Sequence, residues 1–294
     1  MNIDKYIEIS KNRKFDTQGG NSKCHIFDEH VLLNGRYNKK EIDEVIKKTN
    51  DAKLLGASIS QILEYIIEDE LEMYNNGYML QERANGKPIH KTTSNREINM
   101  AKTEEEKNQI KMKNVSGNLE ELEVLNNVKQ EQYDKFIKDW LNIKKCGLKV
   151  DPSKTDNFFY DKDQGFTFID VDSGENINML ETEESKKTFC NELMVVMINS
   201  SLYYSMQMKD NDKKAVEEKV AQFIPKISSS LEKNDISNKM FDEFMNDKYP
   251  NISNKYMNDK QKFFIGLSRN VKNKNEINDE NITNKQIDIS EKEI

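Results

Sequence analysis

The chain has 294 residues, of which 35% are hydrophobic and 33% are charged, and its formal net charge is -7. The negative charge disfavours a nucleic-acid surface or a general anionic-membrane surface, because long-range electrostatics would repel both partners. No run approaches the length of a transmembrane helix and the N-terminus lacks a signal-peptide pattern. No membrane span and a cytoplasmic location are therefore expected, with export by a dedicated apparatus left open.

The cysteines and the missing motifs exclude several classes of protein. Cys24, Cys146 and Cys190 are odd in number and far apart, which argues against a disulfide framework or a zinc site and for a reducing compartment. The sequence contains no Gly-X-Ser-X-Gly elbow, no P-loop lysine motif and no Cys-X-X-Cys pair. Hydrolases with a nucleophile elbow, P-loop enzymes and zinc modules are therefore excluded.

The first element in chain order is a turn with two adjacent glycines, flanked by strand-like residues over 17–27. Gly19, Gly20, Asn21 and Ser22 form this turn. Glycines let backbone amides approach phosphate oxygens closely, so the turn is a candidate phosphate cradle. The same residues also suit an ordinary tight turn.

A small sheet with one helix is predicted next. Strands are predicted at 30–33, 61–67 and 77–84. A helix is predicted at 39–55, and it carries Glu44. The last strand runs into an Asn-Gly-Lys-Pro exit, which is typical of a turn, and the polar segment 91–118 that follows is predicted to be a connector or insertion.

The C-terminal half shows helical spacing of apolar residues. Helices are predicted at 124–146, 189–208, 212–227, 237–245 and 257–267. Trp140 lies on the apolar face of the first of them and is assigned to the core, and the second is apolar on all sides and is assigned to the centre of the larger part. Residues 270–294 are rich in Asn, Lys and Glu, so they are predicted to be a disordered tail.

A hairpin in the middle of the chain is the most informative feature. Asp151 is followed by an apolar strand that starts at Asn157, the turn 161–165 reverses the chain, and a second apolar strand ends at Asp170. One hairpin thus brings a carboxylate, a carboxamide and a second carboxylate together. Such hard oxygen ligands suit Mg²⁺, and they indicate phosphoryl transfer.

The order of these elements resembles the protein-kinase-like superfamily over roughly residues 17 to 175, and more its compact bacterial branches and the aminoglycoside-phosphotransferase type than the eukaryotic kinases. The resemblance implies an α+β, two-lobed fold with a small antiparallel-sheet N-lobe and a mainly helical C-lobe. Two features depart from the family pattern. Asp151 and Asn157 are six residues apart rather than five, and Lys149-Val150 replaces the usual His-Arg or His-Gly.

The resemblance also implies roles for the hairpin, with ATP and Mg²⁺ as cofactors. Asp151 would be the base that accepts the proton of an unidentified hydroxyl acceptor, and Asn157 and Asp170 would be the metal ligands. Lys154 would contact the γ-phosphate. Loss of Asp170 is expected to lower the rate of phosphoryl transfer more than any other single substitution.

The resemblance also implies which residues of the N-terminal part would bind the nucleotide. Gly19, Gly20, Asn21 and Ser22 would cover the phosphates, and the backbone around Glu82 and Ala84 would bind the adenine edge. Glu44 would pair with a lysine on the third strand, but Asn34 stands nearest to that position and Arg36 is the candidate replacement. A guanidinium can hold phosphate bidentately, although it is not equivalent to an ammonium.

Several functions fit this sequence. A Ser/Thr protein kinase is preferred, and a small-molecule phosphotransferase is the alternative, in which Asp172, Glu175 and the acidic stretch 181–184 would bind a cationic acceptor. A pseudokinase that binds partners would explain the missing lysine, and nucleotidyl transfer is a further alternative. The predicted divisions are 1–90 for the N-lobe, 91–118 for the connector, 119–269 for the C-lobe and 270–294 for the tail.

Overall fold

The computed structural model combines a small antiparallel sheet with a mostly helical remainder. It describes residues 2–18, 22–67, 75–89, 100–205, 210–254 and 256. The strands are β1 (Thr17–Gln18), β2 (Ser22–Ile26), β3 (His30–Tyr37), β4 (Ile62–Ile67), β5 (Asn75–Glu82), β6 (Lys87–Pro88), β7 (Leu148–Lys149), β8 (Phe158–Asp161), β9 (Gly165–Phe168) and β10 (Asp172–Ser173). The helices are α1 (Ile3–Lys11), α2 (Lys39–Leu54), α3 (Glu104–Asn127), α4 (Gln130–Lys145), α5 (Glu183–Ser205), α6 (Asp210–Lys233) and α7 (Asn238–Lys248).

The first five strands form one antiparallel sheet in the order β1-β2-β3-β5-β4. The strands predicted at 30–33, 61–67 and 77–84 are confirmed as β3, β4 and β5. Strand β3 continues to Tyr37 because it pairs with β5 at every position, from His30 opposite Glu82 to Tyr37 opposite Asn75.

The two faces of this sheet pack against different helices. On one face, Leu32 and Leu80 form a small core with Ile3 of α1. Successive side chains of a strand point to opposite faces, so Leu33 and Tyr37 lie on the other face, where they pack against the main core that includes residues of α2. The predicted helix 39–55 is confirmed as α2, which the Asn38 side chain caps by accepting hydrogen bonds from two backbone amides of the first turn.

Aromatic rings fix the predicted hairpin, now β8 and β9, onto α4. Phe136 of α4 stacks on Phe168 with ring centroids 5.2 Å apart, and Trp140 lies 5.2 Å from Phe158. All four residues are essentially inaccessible to solvent. The hairpin and the core position of Trp140 are thereby confirmed, and aromatic pairs of this kind add stability beyond the area they bury.

The helix predicted at 124–146 is interrupted in the structure. Helix α3 ends at Asn127 and α4 begins at Gln130, because Val128 has an extended backbone conformation. Lys226 of α6 donates hydrogen bonds to the carbonyls of Asn126 (2.7 Å) and Val128 (2.8 Å), which replaces the helical bonds lost at the break. A tertiary contact about 100 residues away in sequence therefore decides where the helix ends.

Other predicted segments are placed as follows. The helix predicted at 189–208 is α5, and Phe189, Leu193 and Met197 within it are fully buried, as its all-round apolar pattern indicated. Residues 104–118 of the predicted connector are the first part of α3. The helix at 257–267, the tail at 270–294 and residues 91–99 lie outside the described residues.

None of the helices in the described ranges is long and apolar enough to cross a membrane.

Three side chains of α4 hold the loop between α2 and β4. Lys135 donates a hydrogen bond to the carbonyl of Gly56 (2.7 Å), and Asn142 donates one to the carbonyl of Leu55 (3.2 Å). The carboxylate of Asp139 accepts a hydrogen bond from the Ser58 amide at 2.9 Å and pairs with Lys135 at 2.6 Å. The three residues lie one and two helical turns apart, so one face of α4 fixes the end of α2.

Replacing Asp139 with alanine is expected to lower the free energy of unfolding by about 2 kcal/mol or more. Asp139 is only 3% exposed, and its loss leaves the Ser58 amide without its acceptor and removes the charge partner of Lys135. Urea unfolding measures the change, with Glu131→Ala, an exposed carboxylate on the same helix, as the control. Equal losses in the two variants would contradict the role assigned to Asp139.

Candidate active site

A two-stranded ladder brings the predicted catalytic residues together. Strands β7 and β10 are antiparallel, with Asp172 opposite Lys149 and Ser173 opposite Leu148. Asp151 follows Lys149 by two residues and Asp170 precedes Asp172 by two residues, where both chains leave the ladder. The two carboxylates that lie 19 residues apart in sequence therefore lie at the same end of one short ladder.

The side chain of Asp151 is oriented by its own loop. Its Oδ1 accepts hydrogen bonds from the Ser153 hydroxyl (2.6 Å) and the Ser153 backbone amide (2.9 Å). The hydroxyl bond, together with the backbone bond, lowers the pKa of Asp151 below its usual range. Asp151 is thus an exposed, ionised acceptor with a fixed direction.

Asn157 is buried beside the same loop. It ends a short 3₁₀ turn, Thr155–Asn157, and its carbonyl accepts a hydrogen bond from the Ile169 amide at 2.9 Å. The residue is 5% exposed, and its side-chain nitrogen has no hydrogen-bond partner among the described residues. Burying an N–H group without an acceptor is costly, and in this orientation the nitrogen is a donor that would not bind a metal. Rotation of the amide by half a turn would present its oxygen instead.

Asp170 has a strained backbone and an exposed carboxylate. Its φ is 51°, in the left-handed region that few residues other than glycine adopt. Its side chain is 63% exposed, and the Lys154 ammonium lies 3.8 Å away. Backbone strain of about 1 kcal/mol persists only where surrounding structure imposes it, and here the neighbouring strands β9 and β10 do so.

These residues fit a magnesium ion that is bound partly by phosphate and water, and they do not fit a metal ion that is bound by protein side chains alone. Across the described ranges, no group of three or more His, Cys, Asp or Glu side chains is close enough to hold a metal ion. Asn157 and Asp170 can supply two hard oxygen atoms. That set fits Mg²⁺, which usually binds through one or two protein groups and fills its other positions with water and phosphate oxygens.

Charged side chains surround this end of the ladder. Partial removal from water, then the charge of Asp170, raises the pKa of Asp172, and Asp151 acts in the same direction. Lys154 and Lys149 act in the opposite direction. Three carboxylates and two lysines therefore influence one another here.

Glu44 lies near the same ladder, and no described residue of the third strand pairs with it. Its carboxylate is 2.6 Å from the ammonium of Lys48, one turn along α2. Hydrogen bonds from Lys48 and then from Ser173 lower the pKa of Glu44. The sequence predicted a partner on the third strand, whereas the structure supplies one from the same helix.

The third strand presents a residue that the sequence prediction missed. Asn34 and Arg36 share the face of β3 that carries Leu32, towards α1, and Arg36 is exposed. Tyr37 lies on the face towards α2, and its hydroxyl is buried without a hydrogen-bond partner among the described residues. Burial, then the charge of Asp170, raises the pKa of Tyr37. Extending the predicted strand beyond Leu33 would have revealed it by alternation.

The predicted nucleotide contacts are only partly described. Gly19, Gly20 and Asn21 lie outside the described residues, between the paired strands β1 and β2, and Ser22 begins β2. The amide of Glu82 donates to the Gln61 carbonyl (2.9 Å).

Other bonds also engage Glu82. Its carbonyl accepts from the Ser60 hydroxyl (2.5 Å), and its carboxylate pairs with Lys53 (2.6 Å). With both backbone groups engaged within the protein, a purine edge would have to use the backbone of Ala84 instead.

Comparisons with known proteins give a distant likeness. No family model matches the chain, and no curated protein matches it significantly. Among solved structures, it is similar to a ROP18 kinase domain in complex with AMP-PNP and sucrose, with 11% sequence identity and a TM-score of 0.33. The alignment covers 83% of this chain and 81% of that one. A likeness of this size assigns neither a family nor an activity to the chain.

Replacing Asp170 with asparagine is expected to lower the pKa of Asp172 towards its ordinary value. The substitution removes a nearby negative charge, so the ionised form of Asp172 becomes easier to reach. An NMR titration of the Asp172 carboxyl carbon measures the change, and Asp163→Asn, in the exposed turn of the hairpin, is the control. An Asp172 pKa that is the same in wild type and Asp170→Asn would show that these carboxylates do not interact.

Proposed function

We propose that the protein is an ATP- and Mg²⁺-dependent phosphotransferase of the kinase-like fold. The observation that supports this proposal is the pairing of β7 with β10, because Asp151 follows β7 and Asp170 precedes β10 at the same end of the ladder. The buried side chain of Asn157, whose nitrogen has no hydrogen-bond partner among the described residues, lies at the start of the adjoining hairpin. A fixed carboxylate acceptor next to two metal-competent oxygens is the arrangement that phosphoryl transfer needs.

The proposed fold is two-lobed, with the antiparallel sheet and α2 in an N-lobe at 1–90 and the helices in a C-lobe at 119–269. Segment 91–118 would connect them, and 270–294 would be a tail. Support for this division comes from the order of the elements, because the five-stranded sheet and α2 lie within the first 90 residues and helices α3 to α7 follow them. The larger core is shared by the two parts, since it contains residues of α2 as well as of α4, α5 and α6. The clamp of α4 on the α2–β4 loop would join the lobes.

The residues of the loop would divide the chemistry between them. Asn157 and Asp170 would hold Mg²⁺, which when bound neutralises phosphate charge and aligns the terminal phosphoryl group. Asp151, held by Ser153, would orient the acceptor hydroxyl and take its proton. The acceptor oxygen would bond to the terminal phosphorus as the bond from phosphorus to the bridging oxygen breaks and ADP leaves. Lys154, 3.8 Å from Asp170, would face the transferred group.

The nucleotide would lie against the sheet. The turn at Gly19, Gly20, Asn21 and Ser22 would cover its phosphates, and Ala84 would contact its base. Arg36 would have to reach round the sheet to join them, because it lies on the face towards α1. A protein Ser/Thr hydroxyl is the proposed acceptor, and a cationic small molecule bound at the acidic residues after Asp170 is the alternative.

A second function is favoured by one specific observation. Glu44 pairs with Lys48 of its own helix, so the described residues hold no strand cation paired with it. A protein without that cation would bind nucleotide less well or not turn it over. A pseudokinase that binds partners is therefore the second candidate.

Magnesium and ATP together are expected to raise the unfolding temperature of the wild type and to leave that of Asp170→Ala unchanged. A ligand that binds only the folded state stabilises it by about 2.7 kcal/mol at 100 times its Kd. Asp163→Ala, an exposed aspartate in the same hairpin, is the matched control and should respond as the wild type does. Differential scanning fluorimetry with and without Mg²⁺ measures the shifts.

Three outcomes separate the candidates. Stabilisation that is lost in Asp170→Ala, with transfer of labelled phosphate to a protein acceptor, supports the phosphotransferase. Stabilisation without transfer from ATP to any acceptor or to water favours the pseudokinase. No stabilisation at millimolar ATP would contradict the phosphotransferase and favour a pseudokinase that binds partners without nucleotide.

A further inference from the structure

Lys48 of α2 is a partly buried lysine whose ammonium has a complete set of acceptors. Its side chain is 15% exposed. The ammonium lies 2.6 Å from a Glu44 carboxylate oxygen, and it donates hydrogen bonds to the Ser173 hydroxyl (2.9 Å) and the Gly174 carbonyl (2.7 Å). An ammonium has three donors, so these contacts satisfy it fully. Removing a charge from water is costly, and only such a complete set of partners compensates for the cost.

Two of these partners belong to the strand that follows Asp170. Ser173 is the last residue of β10, and Gly174 continues the ladder by donating its amide to the Gly147 carbonyl at 2.8 Å. Strand β10 is therefore held both by the ladder with β7 and by Lys48, which bonds to Ser173 and to the following Gly174. A two-residue strand makes few ladder bonds of its own, so an outside contact contributes much of what holds it in place.

The position of β10 determines the position of Asp170. Only Val171 separates Asp170 from this strand, and the left-handed backbone of Asp170 needs fixed chain on both sides. On the preceding side, the Ile169 amide is bonded to Asn157. On the following side, the anchor is the ladder together with Lys48.

We propose that Lys48 is a positioning residue that holds the strand following Asp170, so that Asp170 stays at the same end of the ladder as Asp151 and close to Asn157. The inference rests on the proposed function, and it adds a residue that acts on the metal site without touching it. Groups that orient a metal ligand from outside typically change metal affinity by about 10- to 100-fold when they are lost. Glu44 and Ser173 complete the contact, which links α2 to the site through side chains 125 residues apart.

The test compares Lys48→Met with Lys47→Met in the full chain. Lys48→Met keeps most of the side-chain length and loses the charge, and Lys47→Met removes the same charge from an exposed position of the same helix. Isothermal titration of ATP at a series of Mg²⁺ concentrations gives the apparent affinity. Lys48→Met is expected to weaken binding of Mg²⁺ with ATP by about 10-fold or more, and Lys47→Met by less than about twofold.

Hydrogen exchange provides a measurement that does not depend on nucleotide. In the nucleotide-free protein, Lys48→Met should speed amide exchange at 171–174, while the α4 core keeps wild-type protection. Ser173→Ala should have a smaller effect of the same kind, and its effect should not add to that of Lys48→Met, because the two side chains share one contact.

The outcomes distinguish this inference from the proposed function. If the wild type binds no ATP with Mg²⁺, the proposed function fails, and hydrogen exchange then shows whether Lys48 has a structural role only. If the wild type binds and Lys48→Met binds as tightly as Lys47→Met, the positioning role is overturned. Faster exchange throughout the core of Lys48→Met would also overturn it, because a general loss of stability would then explain weaker binding.

Discussion

The packing of the β8–β9 hairpin on α4 is the contact on which the candidate site depends most. Asn157 immediately precedes β8, and Asp170 follows β9 by two residues. The buried rings of Phe158 and Phe168 therefore fix the backbone next to both residues. A buried ring can shift little without opening a cavity, which costs several kcal/mol. The apolar core therefore sets the spacing of polar groups that contribute nothing to it.

Local sequence patterns were sufficient for the hairpin and for most strands and helices, because alternation, turn residues and helical spacing act over a few positions. They did not show the helix break near Val128, which depends on Lys226 of a distant helix. Nor did they show Lys48, whose partner Ser173 is far away in sequence. Candidate residues on one hairpin could be found from sequence, whereas the contacts that orient them come from packing.

In the proposed nucleotide complex, the charges of the site would favour a bound cation. Asp151, Asp170 and Asp172 would repel the phosphates of a nucleotide, and Lys154 and Lys149 only partly offset their charge. A divalent cation next to Asp170 reverses the sign of the local field and turns this repulsion into attraction. We therefore expect nucleotide affinity to depend steeply on Mg²⁺ concentration.

The clamp of α4 on the loop after α2 has a mechanical consequence. Because Lys135, Asp139 and Asn142 fix the C-terminal end of α2, any rotation of the helix would take place about that end. The helix is ~24 Å long, and Lys48 lies ~9 Å from the fixed end, at a rise of 1.5 Å per residue. A 2 Å displacement of the N-terminal end would thus move Lys48 by roughly 0.8 Å. Strand β10, which Lys48 contacts, would therefore be displaced less than the N-terminal end of the helix.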